Sequence, residues 1–292
     1  MKLKIDDIPC VDQIKFVTLQ RDYAHTVSPR SIVQQRGLEF DHFRPYQISD
    51  DASMIDWKAS ARSTETLVRV YSEDVSMNIL LMLDVSETMI YGTGNKAKVE
   101  FALELVLNLA YGILNFGDRV GLIVHNDEVI NTAPFASELE QYYIIKQLLT
   151  DYSKFGGNAK ISKPLSWVIE TFRDTHLLIM VSDFLGFGDD FFNQLYSVLD
   201  HFDILGVMVN DKTDLELDKS LFYLDAKDPF AKQRGVISTY NAVDKYRKAN
   251  QERINKIKDF FYHAKKDLWV MNTDDDIRNK LPKFVEERNM MK

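Results

Sequence analysis

A single cysteine, Cys10, is all that 292 residues contain. No disulfide can therefore close within the chain and no cysteine-rich zinc site can form, a usage that fits a reducing compartment. Histidine is nearly as sparse: His25, His42, His125, His176, His201 and His263 are scattered, without HExxH or paired spacing, and offer no zinc site. No apolar run approaches the ~18 residues that span a bilayer, and the opening Met1-Lys2-Leu3-Lys4-Ile5-Asp6-Asp7 lacks the apolar core of a signal peptide. The expectation is a cytoplasmic protein with no membrane span. Repeats and low-complexity tracts are also lacking. Basic residues fall short of acidic ones, 36 against 44, and the formal net charge of -8 disfavours nonspecific nucleic-acid binding as the main task. Proteins or cations are the expected partners. With 45% hydrophobic and 27% charged residues the chain has ordinary globular composition and enough apolar material for a sizeable core.

What is present is organised around Asn78-Ile-Leu-Leu-Met-Leu-Asp84-Val-Ser86-Glu-Thr88-Met89. An apolar run that reads as a fully buried strand meets a cluster of oxygen-bearing side chains. Asp84, Ser86 and Thr88 alternate with Val85 and Glu87, so at the carboxyl end of a strand they can turn a carboxylate and two hydroxyls toward one point. Three hard oxygens suit a cation of the Mg²⁺ kind. The same residues also suit a turn that caps the next helix. His176-Leu-Leu-Ile-Met-Val-Ser182-Asp183 repeats the design, an apolar run ending in a hydroxyl and a carboxylate.

Between and after these strands the pattern alternates. A helical stripe runs from Lys96 to Asn115 and stops at Phe116-Gly117. A buried strand follows at Val120 to Val124, then Val129-Ile130, a helix from Glu138 to Leu149, and the loop Gly156-Gly157-Asn158, free to bring backbone close to a ligand. Ser162 and Pro164 suit a cap and first turn for a helix to Phe172. Then come a helix from Asp189 to Leu199, a strand from Ile204 to Val209, a hairpin across 221–238, a charged helix from Ala242 to Ala264, a strand from Leu268 to Met271 and a final helix. Val-, Ile- and Leu-rich strands separated by helices imply an α/β fold, a doubly wound, mostly parallel sheet covered on both faces. The ligand position of such sheets lies outside the carboxyl ends of the strands.

Residues 1–74 read as a leader and a β-rich extension, and 75–292 as the α/β domain. In the extension Thr66 to Tyr71 reads as a strand, Phe43, Tyr46 and Trp57 as residues that pack onto something, and Arg44, Asp50, Asp56 and Arg62 as ion-pairing residues where it docks. Tyr91-Gly-Thr-Gly-Asn-Lys96 has a GxG but neither the third glycine of a dinucleotide fingerprint nor a P-loop, and reads as a flexible turn. The run Asp211 to Lys219 reads as a solvated loop.

Asp84-x-Ser86-x-Thr88, Gly156-Gly157-Asn158 and Ser182-Asp183, in that order, resemble the metal-ion-dependent adhesion site of von Willebrand factor A domains, and imply a Rossmann-type fold of that kind. The resemblance carries Ser86 and Thr88 over as direct ligands of Mg²⁺ or Mn²⁺, with Asp84 and Asp183 holding metal-bound water. Asn158 stands where that family has Thr, so its amide carbonyl is the candidate ligand there. The segment with Arg44-x-Tyr46, Ile55-Asp56-Trp57 and Ser60-Ala61-Arg62, followed by Asp-x-Ser-x-Thr-Met and Ser182-Asp183-Phe184-Leu185, resembles the bacterial family called domain of unknown function 58. Members often accompany MoxR-type AAA+ ATPases, which implies an adaptor for such a partner. Relatives often carry membrane segments.

The function expected on this reading is a non-enzymatic interaction module whose metal accepts a carboxylate from a protein partner. With mainly neutral direct ligands, the metal is expected to bind weakly without that partner. The alternative is a phosphatase of the haloacid-dehalogenase type using Asp84, since a strand ending in Asp-x-Asp-x-Thr is that family's nucleophile loop. Ser86 stands here in place of the second carboxylate, so the usual general acid is lacking.

Overall fold

The computed structural model describes residues 14–16, 38–47, 50, 52–73, 76–93, 96–187, 190–215, 223–227 and 234–291. Cys10 and His25 lie outside them. The chain divides into two compact units, one of Gln20–Ser76 and one of Met1–Leu19 with Met77–Lys292.

In the smaller unit β1 (Leu38–Pro45) pairs antiparallel with β2 (Leu67–Glu73), with a register shift between Phe40 and His42. Asp56 caps the short helix α1 (Trp57–Ser60), accepting from the Lys58 and Ala59 amides at 2.9 Å. The ion pairs close within the unit: Arg44 grips Asp50 through two bonds of 2.6 and 2.7 Å, and Asp56 takes Arg69 in addition to the cap. The Arg44 guanidinium, with the Gln47 amide, holds the Asp50 carboxyl down at about 2. Two expectations for this segment differ from what is observed. Trp57 is 70% exposed and Phe43 41% exposed, so neither is packed as a buried anchor. The partner of Asp56 is Arg69, because antiparallel pairing sets β2 beside the capped turn.

The larger unit follows the alternation expected for an α/β protein: β3 (Asn78–Asp84), α2 (Glu87–Ile90), α3 (Lys98–Phe116), β4 (Arg119–His125), β5 (Val129–Ala136), α4 (Glu140–Leu149), α5 (Ser162–Thr171) and β6 (Leu177–Ser182). Its second part is α6 (Phe191–Tyr196), β7 (Asp203–Asn210), α7 (Lys212–Leu215), the hairpin β8 (Tyr223–Lys227) and β9 (Arg234–Ser238), α8 (Thr239–His263), β10 (Asp267–Asn272) and α9 (Ile277–Met291). The six-stranded sheet has the order β10-β7-β6-β3-β4-β5, parallel except for β5 at one edge. This is the doubly wound order, in which successive strands run outward from the centre in both directions. The reversal lies between β3 and β6, and that crevice is where such sheets bind ligands.

Alternation within β3 builds both layers. Ile79, Leu81 and Leu83 face a core shared with α3, α4 and α9; Leu80 and Met82 face the core under α5, α6 and α8. Every residue of β3 is buried, which is why its sequence reads as a continuous apolar run rather than an alternation. Helix α3 is long and apolar enough to cross a membrane by length and composition, and 78% of that stretch is buried inside the fold. It is the central core helix of this unit. It ends at Gly117, whose φ of 105° provides the left-handed cap that the Phe116-Gly117 stop predicts. Ser162 is the first helical residue of α5 and Ile161 the cap position, with no side-chain capping bond, in place of the expected serine cap.

Candidate functional site at the carboxyl ends of β3 and β6

Parallel pairing of Leu83 with Val181 sets Asp84 and Ser182 side by side at the mouth of the crevice. The Ser182 hydroxyl donates to Asp84 Oδ2 at 2.6 Å, and the Ser86 amide donates to Asp84 Oδ1 at 2.9 Å. Both donors are neutral, and Asp84 is completely buried. Ser86 opens the one-turn helix α2, where a turn without helix was expected, and that turn brings Thr88 back over the site. The two hydroxyls lie 3.3 Å apart, and the Thr88 hydroxyl donates to Asp183 Oδ1 at 3.2 Å. Asp84, Ser86, Thr88 and Asp183 thus meet in one buried cluster, the gathering that the resemblance to the adhesion site implies.

Asp183 is fixed by a tight local structure. Its Oδ1 accepts the Leu185 amide at 2.8 Å, while the Phe184 amide bonds the Ser182 hydroxyl at 2.9 Å. Phe184 adopts φ 53°, a conformation rarely taken by a bulky residue, and is held there by burial among Phe187, Phe191 and Phe261. Asp183 Oδ2 accepts the Lys98 ammonium at 2.7 Å, and the same ammonium reaches Asp214 Oδ2 at 2.8 Å. Burial works against the Lys98 charge, but the two carboxylates outweigh it and raise its pKa. Burial likewise pushes the Asp183 carboxyl up to about 6, the Lys98 charge pulling against it. Arg253 of α8 donates to the Asp183 carbonyl at 2.9 Å.

The Gly156-Gly157 loop closes another side. Gly156 donates to the Val85 carbonyl at 2.8 Å and the Glu87 amide donates to the Gly157 carbonyl at 2.9 Å. Both glycines have positive φ, and a Cβ on Gly156 would lie 2.9 Å from the Glu87 carboxylate, so backbone lies directly against the Asp-x-Ser loop. Asn158 is not gathered into the cluster: it is exposed, and its amide donates to Asp127 at 3.3 Å.

In the run Asp211 to Lys219, of which residues 216–219 lie outside the described residues, Asp211 and Asp214 correct the reading of a solvated loop. Asp211 is 1% exposed and accepts from Thr93, Thr213 and Thr273, while Asp214 accepts the Asp211 amide at 2.9 Å. Burial opposes the Asp211 charge, but the threonine bonds dominate and hold its carboxyl well below the usual range. Sequence reading missed Lys98 and Asp214. A lysine opening a helix carries no signal of its own. A signal existed only in combination, as a lysine at the start of a core helix whose later turns are mainly apolar.

Among the described residues no group of three His, Cys, Asp or Glu gathers as a metal cluster. The donor set is two carboxylates with two hydroxyls. It nonetheless fits a hard divalent cation, because Asp84 is a buried carboxylate whose hydrogen bonds come from neutral groups, and buried charges are paired or coordinate metals.

Residues 42–255 match the family described as protein of unknown function DUF58, and the chain belongs to that family. Uncharacterized proteins of Mycobacterium tuberculosis and Mycobacterium bovis are 24% identical over 183 residues, 62% of this chain and 57% of theirs, so the match spans little more than half of those relatives. Among solved structures, a conserved hypothetical protein BatB from Bacteroides thetaiotaomicron is similar at 13% identity and a TM-score of 0.48, covering 74% of this chain and 100% of that one. An aerotolerance-related membrane protein from Bacteroides fragilis is similar at 13% identity and 0.49, with the same coverage. A von Willebrand factor type A protein from Catenulispora acidiphila reaches 12% and 0.36, covering 49% of this chain and 35% of that one. The strand order itself, rather than these likenesses, defines the fold.

Proposed function

We propose that this DUF58 protein is a non-enzymatic interaction module of von Willebrand factor A type that engages a partner protein through a divalent cation at the carboxyl ends of β3 and β6. The observation that carries the reading is Asp84, a carboxylate with 0% exposure whose hydrogen bonds come from an amide and a hydroxyl. Keeping an ion in a protein interior costs several kcal/mol unless an opposite charge compensates it. Asp84, Ser86 and Thr88 would hold Mg²⁺ or Mn²⁺, with Asp183 beside them. When bound, the ion supplies an open coordination position for a carboxylate of the partner.

This chain's own residues do the positioning. Ser182 and the Ser86 amide orient Asp84, the turn of α2 sets the two hydroxyls side by side, and the Gly156-Gly157 backbone walls the loop. Asn158, turned to Asp127, is outside the set of ligands that this reading needs. A MoxR-type AAA+ ATPase as partner belongs to the same proposal, supported by membership of the family, and a cytoplasmic location is proposed from the composition of the chain. The test is a pull-down from the native cell with added Mg²⁺, comparing wild type with Asp84→Ala. Recovery of an AAA+ ATPase with wild type alone supports the reading; equal recovery with both removes Asp84 from partner binding.

A further inference from the structure

Among the described residues the ammonium of Lys98 is the cation in direct contact with a carboxylate of this cluster, the Arg253 guanidinium reaching Asp183 through its carbonyl, and the ammonium has two places to go. Lys98 opens α3, is 2% exposed, and lies 2.7 Å from Asp183 Oδ2 and 2.8 Å from Asp214 Oδ2. Lysine is almost never this buried unless paired. Its two partners belong to different settings: Asp183 directly follows the end of β6, beside Asp84, whereas Asp214 lies on α7, anchored to the Asp211 amide at 2.9 Å. Asp183 Oδ1 is already engaged by Thr88 and by the Leu185 amide, so Oδ2 is the oxygen left to neutralise, and the ammonium holds it.

We infer that Lys98 is a tethered cation that competes with a divalent ion for Asp183, the site filling when the ammonium is drawn onto Asp214. This rests on the reading of the strand ends as a metal site. An ammonium and a divalent ion repel across a shared carboxylate, and inside a protein that repulsion is screened far less than in water. Retreat requires no new partner, because Asp214 is already in contact. The pair Asp183 and Asp214 thus forms a two-position rest for one charge, and metal uptake is coupled to the start of α3 and to α7. The device sets a low affinity in the free protein and lets a partner carboxylate, by adding negative charge at the ion, tip the balance.

Calorimetric titration with Mn²⁺ and thermal melting test this on the whole chain. Lys98→Met should bind Mn²⁺ at least tenfold more tightly than wild type, and should melt lower than wild type without metal but recover with it, since the ion replaces the missing charge. Lys98→Arg keeps the charge and should bind no more tightly than wild type. Asp214→Asn should weaken binding several-fold by leaving Lys98 with Asp183 alone, and this weakening should vanish in the Lys98→Met background. Binding by Lys98→Met equal to or weaker than that of wild type overturns the inference. Should Lys98→Met fail to fold, unchanged or tighter binding by Asp214→Asn overturns it. Ser86→Ala separates the two levels. If Mn²⁺ binding is lost with Ser86→Ala but indifferent to Lys98 and Asp214, the metal site stands and the competition falls. If binding is indifferent to Ser86→Ala, or no protein binds, the metal site itself falls and the competition with it.

Discussion

Asp84→Asn should leave the metal-free protein nearly as stable as wild type while abolishing its response to divalent ions. The substitution removes a charge that is completely buried and bonded only to neutral donors, the Ser86 amide at 2.9 Å and the Ser182 hydroxyl at 2.6 Å. Two bonds to a charged acceptor contribute about 1.5–3 kcal/mol each. The penalty for keeping the ion in the interior is several kcal/mol, so the two terms nearly offset. An asparagine can retain the Ser86 bond through its oxygen and turn its amide to Ser182. The net change without metal should therefore stay within about 2 kcal/mol. With metal the wild type gains about 2.7 kcal/mol when the free ion is a hundredfold above its dissociation constant. For a chain of this size one kcal/mol moves the melting temperature by about 2–4 °C, which gives a shift of about 5–11 °C in wild type and none in the variant. The assay is thermal denaturation with and without Mg²⁺ or Mn²⁺, with NaCl added to match ionic strength. A variant destabilised by more than about 4 kcal/mol, in a protein whose wild type ignores both ions, would show that Asp84 is a structural acceptor and refute the reasoning.

Three further outcomes are expected. Arg288 is 1% exposed and joins Asp203 and Asp267 at 2.8 Å each, tying α9 to the β7 and β10 edge, so Arg288→Ala should cost about 3–5 kcal/mol in urea unfolding yet leave the Mn²⁺ affinity of the folded protein unchanged. His125, paired in register with Asp84, is held neutral because burial lowers its pKa, with Asp84 pulling the other way. The unfolded chain therefore takes up this proton first: the stability due to a neutral His125 is present above about pH 6.5 and is lost as the pH falls toward the depressed folded value, with a slope of at most about 1.4 kcal/mol per pH unit. Unfolding measured between pH 7 and 5 should be flatter in His125→Asn, and an identical slope would show that His125 is not the group responsible. Finally, purified protein should not hydrolyse p-nitrophenyl phosphate or nucleotides, because Lys98 contacts Asp183 and Asp214 while Ser86 occupies the general-acid position of a phosphatase loop; turnover that disappears with Asp84→Asn would reverse that conclusion.

Much of the fold was written locally. A parallel strand buried on both faces must be apolar along its whole length, so Asn78–Asp84 and Leu177–Ser182 could be read as central strands, while it was the resemblance to the adhesion site that joined the oxygen-bearing residues at their ends into one site. Gly117 and the Gly156-Gly157 pair were equally legible, since positions with positive φ favour glycine. The tertiary structure decided what depends on distance along the chain. Lys98 meets Asp183 across 85 residues and Asp214 across 116, a junction created by the sheet order and invisible in any window of sequence. Asp211 and Asp214 look like part of a solvated acidic run until β7 is placed next to β6, which brings them to the rim of the crevice and buries Asp211. Asn158 sits at the position the motif demands, but its side chain turns to Asp127, because where a loop amide points is settled by its neighbours in space rather than by its neighbours in sequence.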